Sequence, residues 1–138
     1  MLRHLLLALL LFASLNLSAQ DATHPIDAAL DSCLNITANQ TTYGMIQCTM
    51  QAYDAWDAAL NDVYKKLMPA LEEDEKQALR TAQRQWIAYR DMELEFSGLL
   101  HTNMQGTMYR VIHASRVVEL TKQRVMDLQD YLDTTGMR

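Results

Sequence analysis

Three long stretches of this chain carry apolar residues at steps of three and four, and that spacing restricts the fold to packed helices. In the first, over residues 43–68, the face is Met45, Cys48, Ala52, Trp56, Ala59, Val63 and Leu67. In the second, over residues 73–100, it is Leu79, Ala82, Trp86, Tyr89, Phe96 and Leu100. In the third, over residues 108–132, Met108, Val111, Ser115, Val118, Val125, Leu128 and Leu132 point one way. No alternating stretch of useful length argues for a strand. Pro69 ends the first helix or starts the next element, and residues 101–107, with Asn103 and Gly106, read as a turn. A weaker helical patch over residues 26–34 precedes an Asn- and Thr-rich loop, after which Thr42 is a candidate helix cap. The expected fold is all-α: an antiparallel helical hairpin with a third packed helix and a short N-terminal helical segment.

The start of the chain has a different character. Arg3 and His4 precede nine unbroken apolar residues, 5–13, and then the small and polar Ser14, Asn16, Ser18 and Ala19. This is the order of a secretory signal peptide, expected to span residues 1–19 with cleavage after Ala19. The run is too short to cross a bilayer, which takes roughly 20 apolar residues. Residues 20–138 then form one domain, periplasmic or secreted, with no membrane span. Arg3 is the one charged Lys, Arg, Asp or Glu in residues 1–19, so its loss takes the net charge from −5 to about −6. With no dense basic patch, nucleic acid and anionic lipid are poor partners.

Cys33 and Cys48 are the two cysteines. In an exported chain an even pair reads as a disulfide. A metal site or two free thiols are the alternatives, and His24, nine residues before Cys33, is the one histidine near enough to consider as a further ligand. The run Glu72, Glu73, Asp74 and Glu75 suits the positive end of a helix and reads as a solvated helix start.

Motifs for catalysis are missing from the sequence. It has four glycines and no phosphate-cradling loop, no H-E-x-x-H and no G-x-S-x-G. We expect no enzyme, no cofactor and no metal. Two constellations remain. Asp57, Asn61 and Tyr64 share one side of the first long helix, and Gln83, Trp86, Tyr89, Arg90 and Asp91 follow on the second. In an antiparallel hairpin the two sets face each other, and Arg90 could reach Asp57 or Asn61. They form either an interhelical polar–aromatic seam or a face for a protein partner.

At these residues the chain resembles the lysozyme-inhibitor LprI-like family of small exported bacterial proteins. The resemblance rests on Cys33, Met45-Ile-Gln-Cys48, Tyr53, Asp57-x-x-Leu60-Asn61-x-x-Tyr64, Ala82-Gln83-Arg84-Gln85-Trp86-Ile-Ala-Tyr89-Arg90-Asp91, and Glu119-Leu120-Thr121-x-x-Arg124-x-x-x-Leu128. It implies an exported binding protein that inhibits animal-type lysozyme, a basic enzyme toward which an acidic domain is steered. Such a protein could place a cation, Arg90 or Arg110, or the loop over residues 101–107, in the sugar-binding cleft. Similar proteins often carry a second cysteine pair where this chain has Leu94 and Arg116. The competing expectation is an envelope adaptor or stress protein with a non-lysozyme partner.

Overall fold

Each helix starts where its cap chemistry places it. A computed structural model describes residues 23–137. The expected signal peptide lies outside them. Helix α1, Pro25–Leu34, opens with His24, whose Nδ1 accepts from the Ile26 amide at 3.2 Å. Proline in its first turn suits the same end. A single 3₁₀ turn, Thr37–Asn39, leads to α2, Thr42–Leu67. Its cap is Thr41, one residue before the one expected. Thr41 is extended and its Oγ1 accepts from the Gly44 amide at 3.0 Å, the usual way a threonine satisfies a free helix donor. Thr42 is already helical, and its hydroxyl instead meets that of Thr107 at 3.0 Å.

Pro69 sits in a second 3₁₀ turn, Met68–Ala70. Helix α3, Glu73–Thr102, then opens with a capping box, in which Glu75 Oε2 accepts from the Glu72 amide at 2.9 Å. This is the local role of part of the acidic run. Gly106, at φ 106°, makes the left-handed step of the turn before α4, Met108–Thr135. Glycine takes that conformation without steric cost.

The three long helices run up, down and up. Thr42 meets Thr107 at one end of the domain, while Leu67 lies beside Tyr131 and Thr134 at the other, so α2 and α4 are parallel. Helix α3 runs against both, pairing Gln83 with Arg124, Glu93 with Arg116 and Ser97 with His113. The tightest packing is between α2 and α4. The core is built from Ala52, Trp56, Leu60, Val63 and Leu67 of α2 with Val118, Val125 and Leu128 of α4, and α3 adds Leu79 alone. Helix α1 lies on α2, fastened by the Cys33–Cys48 disulfide and covering Trp56 with the His24 ring at 4.3 Å.

The face predicted for α2 is the buried one, with Met45 and Ala59 at its half-buried margin and Thr49 and Leu60 added. On α4 the buried stripe is Ala114, Val118, Thr121, Val125 and Leu128, so Met108 and Ser115 are exposed rather than inward. The larger correction concerns α3. Of its predicted face, Leu79 is buried and Trp86 half-buried, whereas Ala82, Tyr89, Phe96 and Leu100 are exposed. The side of α3 that meets the rest of the domain is Leu79, Gln83, Trp86, Arg90, Glu93 and Ser97, also spaced by three and four but mostly polar. The apolar stripe stands beside it, turned toward solvent.

Of the four glycines, Gly44 sits at the closest approach to neighbouring backbone. A Cβ there would lie 2.6 Å from the Asn39 carbonyl oxygen and 2.5 Å from Asn39 Cα. Those are main-chain atoms and cannot swing away as a side chain would. We expect Gly44→Ala to destabilise the domain by about 1–3 kcal/mol, the usual cost of overpacking, despite alanine's better helix propensity. Urea denaturation followed by circular dichroism measures this, and an unchanged midpoint would refute it.

Candidate binding groove

The two sequence constellations meet, and they meet in the open. Asp57, Leu60, Asn61 and Tyr64 of α2 form one wall of a surface groove of ≈ 380 Å³. Arg80, Gln83, Arg84, Trp86, Ile87 and Arg90 of α3 form the other. Six of the eight expected residues therefore line one feature: Asp57, Asn61, Tyr64, Gln83, Trp86 and Arg90. The groove exists because α4, not α3, fills the close contact with α2. The walls stand apart, and side chains that would otherwise interlock stay accessible.

Trp86 is its aromatic centre. The ring is half-buried and packs against the core at its edge. Two guanidiniums lie over it, Arg90 at 5.3 Å and Arg124 at 5.9 Å from the ring centroid. At that range a cation is attracted to the negative face of the ring. Arg124 Nε also donates to Gln83 Oε1 at 3.0 Å, which ties α4 to the groove wall and fixes the Gln83 amide. Arg124 is the groove's supporting residue that periodicity did not single out. Its one sequence signal was its place in the Glu119-Leu120-Thr121-x-x-Arg124 run.

Arg90 does not bridge to α2. Its Nε and Nη2 both donate to Asp91 Oδ1, at 2.9 and 2.7 Å. A carboxylate on the next residue is within reach without closing the groove, so the local pair forms in place of the expected cross-helix one. On the other wall Asn61 Nδ2 donates to the Asp57 carbonyl at 2.8 Å and lies 3.3 Å from its Oδ2. Each wall thus satisfies much of its own polarity. Tyr89 and Asp91 fall outside the groove. Asp91 serves as the partner of Arg90, and Tyr89 lies exposed on the apolar stripe of α3.

A second polar cluster closes the opposite end of the α3–α4 pair. The buried Ser97 hydroxyl lies 3.2 Å from Nδ1 of His101 and 3.2 Å from Nδ1 of His113. His113 is half-buried in this contact. Among the described residues no three His, Cys, Asp or Glu side chains gather as a group that could hold a metal ion. No described helix is long and apolar enough to cross a membrane.

Fold and groove together define a small disulfide-linked helical domain that presents side chains from two helices across an open cleft. The family model described as Lysozyme inhibitor LprI matches residues 33–128, and the chain belongs to that family. It is 30% identical over 100 residues to an uncharacterized protein of Rhizobium meliloti strain 1021, covering 63% of this chain and 70% of the relative. It also superposes on the crystal structure of an uncharacterized protein from Burkholderia thailandensis with a TM-score of 0.77 and 27% identity. That match covers 82% of this chain and 55% of the solved one, so the chain spans about half of the larger protein.

Proposed function

We propose that this protein is an exported lysozyme inhibitor that acts by binding, with the α2–α3 groove as its contact face. The observation that carries this reading is the convergence of Asp57, Asn61, Tyr64, Gln83, Trp86 and Arg90 on one accessible groove. A purely structural seam would close over these side chains. A half-exposed tryptophan held by two arginines is instead the kind of aromatic and Arg anchor that dominates binding energy in protein interfaces. The family description supports the choice of target. The net charge of −5 suits a basic enzyme, since opposite charge speeds encounter at low salt. The domain would inhibit by covering the sugar-binding cleft, which denies the wall polymer entry without any chemical step. The signal-like residues 1–19 support an encounter in the periplasm or outside the cell.

The test is a cell-wall lysis assay with animal-type lysozymes titrated by the purified protein. We expect inhibition that saturates at a fixed stoichiometry and weakens as salt is raised. Asn61→Ala combined with Ile87→Glu alters two exposed groove positions outside the core, and should weaken inhibition by roughly 30-fold or more, the scale of an interface hot spot. Full lysozyme activity at tens of micromolar inhibitor would overturn the assignment. Recovery of a non-lysozyme partner alone would move it to an envelope adaptor.

A further inference from the structure

The groove uses one side of α3, and the other side poses a separate problem. Met92 is 64% exposed, Phe96 61% and Leu99 60%. They follow one another at steps of four and three, so they form a single stripe along the helix. Phe96 and Leu100 continue across to Ile112 of α4, and the three line a shallow depression of ≈ 450 Å³. Met108, exposed one turn before Ile112, extends the surface along α4. Helix α3 buries only Leu79 and Ser97 of its thirty residues, where the shorter α2 buries eight. Since amphipathic helices draw most of their stability from tertiary packing, the distal half of α3 lacks the cover its sequence is patterned for.

We propose that this surface is the interface between two copies of the chain. Its six apolar side chains expose on the order of 600 Å², large for a monomer's patch and close to the ~800 Å² each partner contributes to a standard interface. The charge pattern favours self-contact over a steered encounter with a basic protein. Arg116 closes on Glu93 at 2.8 Å beside the depression, which leaves the exposed Glu119 and Glu95 at the margin of the patch, two of the chain's 17 acidic residues, so the patch carries little of its negative charge. The shape fits as well. An antiparallel α3–α4 hairpin with one uncovered apolar side becomes a four-helix layer when a two-fold axis sets a second hairpin against it. Such a contact is isologous, with Phe96 near its centre. It leaves the α2–α3 groove open, because Gln83, Ile87 and Arg90 lie roughly half a turn around α3 from Met92, Phe96 and Leu99.

Sedimentation equilibrium on protein produced from the full-length gene tests this over low to several hundred micromolar. We expect a monomer–dimer equilibrium. Phe96→Asp and Leu99→Asp, both at exposed positions, should raise the dissociation constant about 30-fold or more, with thermal midpoint and helical signal retained. Ile87→Asp in the groove should leave it unchanged. A wild-type chain monomeric at the highest concentration overturns the proposal. So does a dimer that persists in both stripe variants. Loss of lysozyme inhibition in the stripe variants of a monomeric protein would overturn it too, and would give the stripe to the enzyme. Because the groove variant and the stripe variants are read separately, failure of one reading does not imply failure of the other.

Discussion

Trp56→Ala should destabilise the domain by about 3–5 kcal/mol, the range for truncating a large buried aromatic, a loss comparable to the whole ~5–15 kcal/mol stability of a small domain. Trp56 is fully buried at the centre of α2. It is where three helices meet: the core of α2 and α4 surrounds it, the His24 ring before α1 lies tilted against it at 4.3 Å, and Lys122 Nζ of α4 stands 5.8 Å over its ring. Removing the indole opens a cavity that main-chain segments on three sides cannot close together. The ring also carries a cost of its own. Its Nε1 is buried without a hydrogen-bond partner among the described residues, and such a donor costs about 1–3 kcal/mol. Trp56→Phe keeps most of the volume and removes that donor, so it should destabilise much less than the alanine variant. Urea denaturation of both, followed by circular dichroism, checks the pair. An alanine variant within about 1 kcal/mol of wild type would mean that the packing around Trp56 contributes far less than this.

The same residue shows why part of the fold was legible in the sequence. Helix α2 has one apolar face and two partners, α1 and α4, that both use it. Periodicity therefore named most of the residues that are buried, Cys48, Ala52, Trp56, Val63 and Leu67 among them. On α3 the period was correct and the conclusion drawn from it was not. A step of three or four identifies residues that share a side, but it does not say which side meets the rest of the chain. Leu79, Gln83, Trp86, Arg90, Glu93 and Ser97 share a side as well as Tyr89, Phe96 and Leu100 do. Tertiary contact chose the polar side, through Arg124, Arg116 and His113 of α4. That choice depends on α2 pairing most closely with α4, a non-local fact that no window of sequence contains.

The groove was legible for a related reason. Asp57, Asn61 and Tyr64, and Gln83, Trp86 and Arg90, are each internally consistent sets on antiparallel helices, so bringing the helices side by side brings the sets together. Tyr89 and Asp91 lie outside the groove because they are neighbours of Arg90 in sequence, and adjacent helical residues point about 100° apart. The same adjacency accounts for the Arg90–Asp91 pair, which a cross-helix picture did not foresee.

Removing the Cys33–Cys48 cross-link should cost about 3 kcal/mol by the loop-closure estimate for a loop of this length. The two cysteines are 15 residues apart in sequence. Cys48 is buried, 2% exposed, so alanine is the suitable replacement there. A serine hydroxyl would add a desolvation cost of its own. Cys33 is less enclosed and tolerates serine. The loss should not be spread evenly. Helix α1 has no fully buried residue, and apart from the disulfide it is held by a few side-chain contacts. Ile26 and Leu30 pack on the core, the His24 ring lies against Trp56, and Asp27 accepts from Lys122 Nζ at 2.6 Å. That ion pair is only partly buried and adds little by itself. Asn39 Nδ2 also donates to the Cys33 carbonyl at 3.0 Å, holding the loop that Gly44 abuts. Without the cross-link α1 can leave while α2 and α4 stay paired, which exposes one side of Trp56 to water. We therefore expect hydrogen exchange in the Cys33→Ser, Cys48→Ala variant to accelerate first in α1, with a red shift in tryptophan emission below the global transition. If α1 instead kept the same protection as α4 and the variant unfolded in one step, α1 would be an integral part of the core, and its attachment would owe little to the disulfide.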